Sequence, residues 1–288
     1  MTIPKFSFEF FPPKSPAGLT ALVTTAVELE IFDPTFVSIT YGAGGSTQDR
    51  TLGAIETLTA SLNTPIAGHL TCVGQTKEHT HEVLDGYVSR GVRQVVALRG
   101  DPSDDTGVAA NGFSTARELV AAIRQRPDGD LFHVSVAAYP EVHPKAASAG
   151  ADLDSLVAKI DAGADRAITQ FFFDTDAFLR FRDRVDLAGI SVPLVPGIMP
   201  IHNVVGALNF STRVGTSIPS WLPPLFEGLD DNPAVRQSVA TAVALEQCDR
   251  LVREGVTDLH FYVMNQANLT AGVCRVLQSR HAEDEAVV

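Results

Sequence analysis

The chain has 288 residues, 45% of them hydrophobic and 19% charged, a composition that excludes a wholly disordered protein. A net charge of −12 argues against nucleic acid or an anionic membrane as the main partner, although a local basic pocket can still hold an anion. Cys72, Cys248 and Cys274 are scattered and form no C-x-x-C pair, no apolar run reaches bilayer-spanning length, and no basic-then-apolar leader precedes Ser7; a reducing, cytoplasmic setting without a cysteine-rich metal site is expected.

The first expected element is a strand in KFSFEFF. Phe6, Phe8 and Phe10 alternate with Ser7 and Glu9, so the aromatics share one face and the polar pair the other. Pro12 and Pro13 cannot donate ladder hydrogen bonds, which ends the strand and leaves Glu9 near its C-terminal end. These residues alone leave Glu9 open between a solvated edge carboxylate and a member of a shared site.

Further along, short apolar runs alternate with helical periodicity. LTALVTTAVELEIF precedes the strand TFVSITYG, DRTLGAIETLTASL precedes PIAGHLTCV, EVLDGYVSRG precedes QVVALRGD, and TARELVAAIRQR precedes FHVSVAAYP. In ADLDSLVAKIDAGA the residues Leu153, Leu156, Val157 and Ile160 mark one helix face, with Asp152 expected as N-cap and Gly163 as stop. RAITQFFFD, VPLVPGIMP and DLHFYVMN supply three more strands. The connection before the last, SIPSWLPPLFEGLDDNPAVRQSVATAVALEQCDRLVREG, exceeds one crossover and predicts an extra helical turn ahead of a long helix. Eight strands alternating with helices predict a (β/α)8 TIM barrel, one domain over residues 1–280 followed by a polar tail at 281–288.

Glu9, Thr40, His69, Asp101, Tyr139 and Gln170 each fall late in an apolar run, about one βα unit apart. In a barrel those strand ends converge on one mouth, so a shared site is expected there.

Taken together, SFEFFPPK, FVSITYGAGGSTQDRT, HLTCVG, LRGDP, SVAAYPEVHP, RAITQFFFD, PGIMPI and HFYVMNQA resemble the catalytic barrel of methylenetetrahydrofolate reductase, from near residue 6 to about residue 276. The resemblance implies an oxidoreductase that passes a hydride from NADH or NADPH through FAD to 5,10-methylenetetrahydrofolate, giving 5-methyltetrahydrofolate. It also implies a short bacterial form and a homo-oligomer. By the same resemblance, Glu9 is the general acid that protonates N10 as the folate ring opens. Its phenylalanine neighbours favour a raised pKa by desolvation, unless alternation turns those rings to the opposite face. Asp101 stabilises the cationic iminium and tunes the flavin, a role compatible with a rigid Asp-Pro turn at Pro102. Gln170 suits the amide-like edge of a pterin or, alternatively, a satisfied core position.

The residues matching the family's FAD contacts are Thr40, His69, Leu98, Arg99, Gly100, Asp101, Ala116, Tyr139, His143, Asp152 and Lys159. Phe210 matches an aromatic that stacks on folate or nicotinamide, and it also suits a helix face. Gln266 stands where some bacterial relatives carry an Arg for the folate tail or the nicotinamide cofactor, and Gln supplies no charge to either.

Other signals are weaker. GAGGST follows a strand, but Thr47 replaces the third Gly of G-x-G-x-x-G, so it reads as a tight βα loop. His79 and His81 sit two apart on a helix and point to different faces, against a metal pair. Trp221 suits packing or an oligomer contact. Rival classes are another flavin barrel such as a proline dehydrogenase-like enzyme, a folate-binding methyltransferase or metal-dependent lyase, and an inactive subunit.

Overall fold

In the computed structural model the backbone is described for residues 3–41, 47–100 and 111–285, and side chains as far as residue 280. Asp101 and most of the GAGGST loop lie outside the described residues. The elements run β1 (Lys5–Phe10), α1 (Pro16–Glu30), β2 (Phe36–Ile39), α2 (Gln48–Ser61), β3 (Ile66–Thr71), α3 (Lys77–Ser89), β4 (Gln94–Leu98), α4 (Ala116–Arg124), β5 (His133–Ala138), α5 (Ala149–Asp161), β6 (Arg166–Phe171), α6 (Thr175–Leu187) and β7 (Leu194–Ile198). After β7 come α7 (Val204–Val214), α8 (Pro233–Arg253), β8 (Asp258–Tyr262) and α9 (Ala267–Glu285). The eight strands are parallel and close in sequence order, β8 returning to β1, which is the expected TIM barrel.

The alternation in β1 explains both faces. Phe6, Phe8 and Phe10 turn outward into a core with Leu22, Ala26 and Leu29 of α1 and with Phe261, each ring about 1.5–3 kcal/mol of burial. Ser7 and Glu9 turn inward. Phe36, Ala67, Ile168 and Val195 make a separate cluster within the ring of strands.

Helix boundaries follow local capping. Ser15 accepts from Gly18 N–H and Pro16 occupies the first turn of α1. α5 begins before the expected Asp152: Ser148 is the N-cap, accepting from Ala151 N–H, and Asp152 lies in the first turn. Gly163, at φ +111°, follows the end of α5 as expected. α9 continues to Glu285, into the stretch expected to be a polar tail.

The β7–β8 connection contains α7, a short 3-10 turn at Pro223–Phe226, and the 21-residue α8 that serves as the crossover helix. α7 lies over a second small core that includes Phe171, Phe173, Met199, Leu222 and Phe226. It stops at Gly215, whose φ of 78° and closeness to Pro144, 2.5 Å from where a Cβ would stand, admit only glycine.

Candidate active site

β1 delivers Glu9 to the mouth, where it is 9% exposed. Its Oε2 lies 3.2 Å from Nε2 of His69 on β3 and 3.4 Å from Nε2 of His260 on β8. One inward position below, the Ser7 hydroxyl is 2.8 Å from Nδ1 of the same His260. A neutral imidazole has a single N–H, and we assign it to Nε2, which faces the carboxylate; Nδ1 then accepts from Ser7. Ser7 thereby fixes the tautomer that lets His260 donate to Glu9.

Glu9 does not carry the raised pKa expected from its phenylalanine neighbours. Burial pushes its carboxyl up, but the nearby His69 and the hydrogen bond from His260 outweigh that, holding it at about 2. The cause is the strand pleat: the rings of Phe8 and Phe10 face the outer helices, and two imidazoles face the carboxylate instead. Burial drives the His260 pKa down, an effect that Glu9 only partly offsets.

Tyr262, two residues beyond His260, completes this wall. Its ring meets His260 edge-on at 5.4 Å, and its hydroxyl donates to Thr169 O at 2.8 Å. Burial and the charge of Glu9 push its phenol well above the usual range. The same Thr169 sits in a register irregularity between Ile168 and Phe171, and its Oγ1 accepts from Gly197 N–H at 2.9 Å. Gln170, carried by that irregularity, accepts from Phe171 N–H through Oε1 at 3.0 Å, leaving its amide hydrogens uncommitted among the described residues.

Phe210 on α7 stacks on Phe171 with ring centroids 5.3 Å apart, and the Arg213 guanidinium lies 5.0 Å from its centre. These contacts and its partial burial against the second core support the core reading of Phe210. Gln266 is exposed after β8, its N–H donating to Val263 O at 3.1 Å. Thr40 lies just past β2, its N–H bonded to Phe10 O at 3.0 Å.

Beside this cluster, the ends of β4 and β5 and the N-termini of α4 and α5 enclose a cavity of about 530 Å³. Leu98, Arg99, Gly100, Ala116, Tyr139, His143, Asp152 and Lys159 all line it; Thr40 and His69 do not. Tyr139 and His143 meet edge to face at 4.5 Å, and Asp152 accepts from His143 N–H at 3.0 Å, so the acid shapes the wall of the cavity. Lys159 donates to Ala137 O at 2.5 Å, and burial lowers its pKa to about 8 despite Asp152. Arg117 and Lys145, on the same lining, add two cations that the sequence reading did not single out.

Residues 2–278 match the sequence profile of methylenetetrahydrofolate reductase. The chain belongs to the methylenetetrahydrofolate reductase family. It is 43% identical over 274 residues to the 5,10-methylenetetrahydrofolate reductase of Pectobacterium carotovorum subsp. carotovorum, covering 95% of this chain and 90% of that one. The Escherichia coli (strain K12) reductase is 42% identical with the same coverage. Among solved structures, a Clostridium thermocellum protein described as binding two copies of 5-methyl-5,6,7,8-tetrahydrofolic acid superposes with a TM-score of 0.64 at 15% identity. That match covers 98% of this chain and 96% of that one, and it speaks to the barrel fold alone.

The protein is therefore a methylenetetrahydrofolate reductase enzyme of one-carbon folate metabolism, and the rival classes give way. In this reductase His79 faces Glu82 and Gln48 while His81 contacts Phe113, so the two rings diverge as expected. Ser7, His260 and Tyr262 escaped the sequence reading. The inward positions of HFY, matched to those of SFE, were the signal that could have found them. Among the described residues, no helix is long and apolar enough to cross a membrane.

Proposed function

We propose that the reductase holds FAD in the β4–β5 cavity and uses NADH or NADPH to reduce 5,10-methylenetetrahydrofolate, with Glu9 supplying the proton for N10. The family is flavin-dependent, and the lining fits the cofactor. Arg99, Arg117, Lys145 and Lys159 offer positive charge to a diphosphate, and Tyr139 and His143 offer aromatic surface. What FAD supplies when bound is the hydride relay from reduced nicotinamide to the folate methylene carbon.

The observation that carries the acid role is the carboxylate of Glu9 held between two imidazoles at the barrel mouth. Opening the folate ring needs a proton at N10. A carboxyl held at about 2 rests ionised, so Glu9 takes up a proton before delivering it to N10. His260 does not compete for it and fixes the carboxylate's orientation. Gln170 reads the pterin edge with its free amide, Phe210 packs against the folate rings, and Asp101 steadies the iminium. Gln266 leaves the folate tail without a charge at that position, consistent with either nicotinamide donor. A cytoplasmic homo-oligomer is the assembly this reading expects.

The test is spectroscopic. Purified protein reconstituted with FAD should bleach with NADH or NADPH under anaerobic conditions and regain its oxidised bands with methylenetetrahydrofolate. Protein that binds no FAD, or whose reduced flavin is indifferent to the folate, sinks the reading.

A further inference from the structure

Below Glu9 the barrel contains a cation for which the scheme above has no use. Arg166, the first residue of β6, turns inward; its Nε donates to Ser135 Oγ at 3.0 Å and one terminal nitrogen to Gln94 Oε1 at 3.2 Å. Its guanidinium carbon lies 4.0 Å from the centre of the Phe36 ring. Phe36 is itself stacked on His260, centroids 5.6 Å apart and planes 16° apart. His260 reaches Glu9, completing a column of guanidinium, benzene ring, imidazole and carboxylate.

Among the described residues no carboxylate lies within ion-pairing distance of Arg166. Asp165 pairs with Arg124 and Asp258 accepts from the Thr257 hydroxyl. A largely buried cation whose hydrogen bonds go only to neutral groups, with a π face against it, is costly, and apolar residues of equal volume commonly stabilise such positions. Its presence calls for a role other than stability.

We propose that Arg166 is a positioning residue for proton transfer: acting through the Phe36–His260 stack, it keeps His260 an uncharged Nε2–H donor to Glu9 and so stops it competing with Glu9 for the transferable proton. Two positive charges across a dry aromatic spacer repel, which disfavours an imidazolium at His260. The groups facing His260 are Ser7 and Glu9 from β1, Phe36 from β2, His69 from β3, Arg166 from β6 and Tyr262 from its own strand. Glu9 is the one anion in that set. Around Arg166 stand Asp165, Asp258 and His133. Burial is the main cause of the lowered His260 pKa, and the charge of Arg166 acts in the same direction.

The inference rests on the acid role proposed for Glu9, and the experiment separates the two. Arg166→Met and Arg166→Lys reductases, loaded with FAD and reduced anaerobically, are reoxidised by methylenetetrahydrofolate across a pH series. In Arg166→Met the acid limb of that half-reaction should move up by about one pH unit, because His260 now takes a proton and holds Glu9 as the anion. Arg166→Lys should restore most of the parent profile, and flavin reduction by NADH should be unchanged in both. An Arg166→Met profile superimposable on the parent's, whatever its thermal stability, overturns the inference and leaves Arg166 a barrel plug. If Glu9→Gln reoxidises normally, the acid role itself fails. Should Arg166→Met not fold, 15N-histidine NMR of the unaltered protein decides, with His260 assigned by His260→Gln. His260 should remain neutral through the range in which a free imidazole takes up its proton, and an imidazolium there near neutrality refutes the proposal.

Discussion

His260 and Glu9 stand 251 residues apart in the chain, yet Nε2 of one lies 3.4 Å from Oε2 of the other. With His69 at 3.2 Å on the same oxygen, the carboxylate rests charged. Glu9→Gln should leave flavin reduction by the nicotinamide intact and slow folate reduction by about 100- to 10,000-fold. Anaerobic stopped-flow of the two half-reactions measures this, and equal loss in both refutes a specific acid role.

The same depressed pKa makes a prediction about stability. A carboxyl lowered from 4.5 to about 2 contributes stability that is fully present above pH 4.5 and is lost as pH falls toward 2. Glu9→Gln should therefore flatten the stability curve across that window. Urea titrations at successive pH values compare the two slopes, and parallel curves contradict the assigned shift.

Ser7→Ala removes the hydrogen bond that fixes the His260 tautomer. The expected cost is about 1 kcal/mol of stability, with folate reduction slowed by about tenfold and flavin reduction untouched. Rate and urea midpoint measured on one preparation test both. Unchanged folate reduction would show that tautomer choice does not matter.

In the cofactor site proposed for the β4–β5 cavity, Lys159 should tie FAD affinity to pH. Burial lowers its pKa to about 8, and a bound diphosphate favours the charged ammonium. FAD should thus bind with proton uptake near pH 8 and weaken as pH rises through that value. Flavin fluorescence titrations at several pH values read the slope, which Lys159→Met should abolish.

Gly197 packs where no side chain fits: an added Cβ would stand 2.5 Å from the Tyr262 ring and closer still to the Thr169 carbonyl. Gly197→Ala should destabilise by about 1–3 kcal/mol and displace Tyr262 from His260. Thermal unfolding and folate reduction should both suffer. A variant as stable as the parent contradicts the packing described for β6–β8.

Much of this was legible in the chain. Alternation in KFSFEFF placed Glu9 inward, and regular strand–helix spacing gave a barrel whose polar strand ends share a mouth. The sign of the Glu9 shift was not legible. Neighbours in sequence, Phe8 and Phe10, face away from it in space, while its electrostatic partners come from β3 and β8. Arg166 escaped for a similar reason: the first residue of a strand reads as solvent-facing until the ring of strands closes around it. α5 showed a smaller failure, because Ser148 capped the helix ahead of the more conspicuous Asp152.

The barrel is sealed where its first and last strands meet. Lys5 to Glu9 pair with Asp258 to Tyr262, and the Asn265 side chain both accepts from Phe11 N–H at 2.9 Å and donates to Phe11 O at 3.0 Å. A nascent chain still lacking β8 therefore holds Glu9 beside an open seam, with no His260 to orient it. On the role proposed for Glu9, catalytic competence waits until β8 has been made and paired, and a product truncated before that strand should take no part in the chemistry, however well its earlier units have folded.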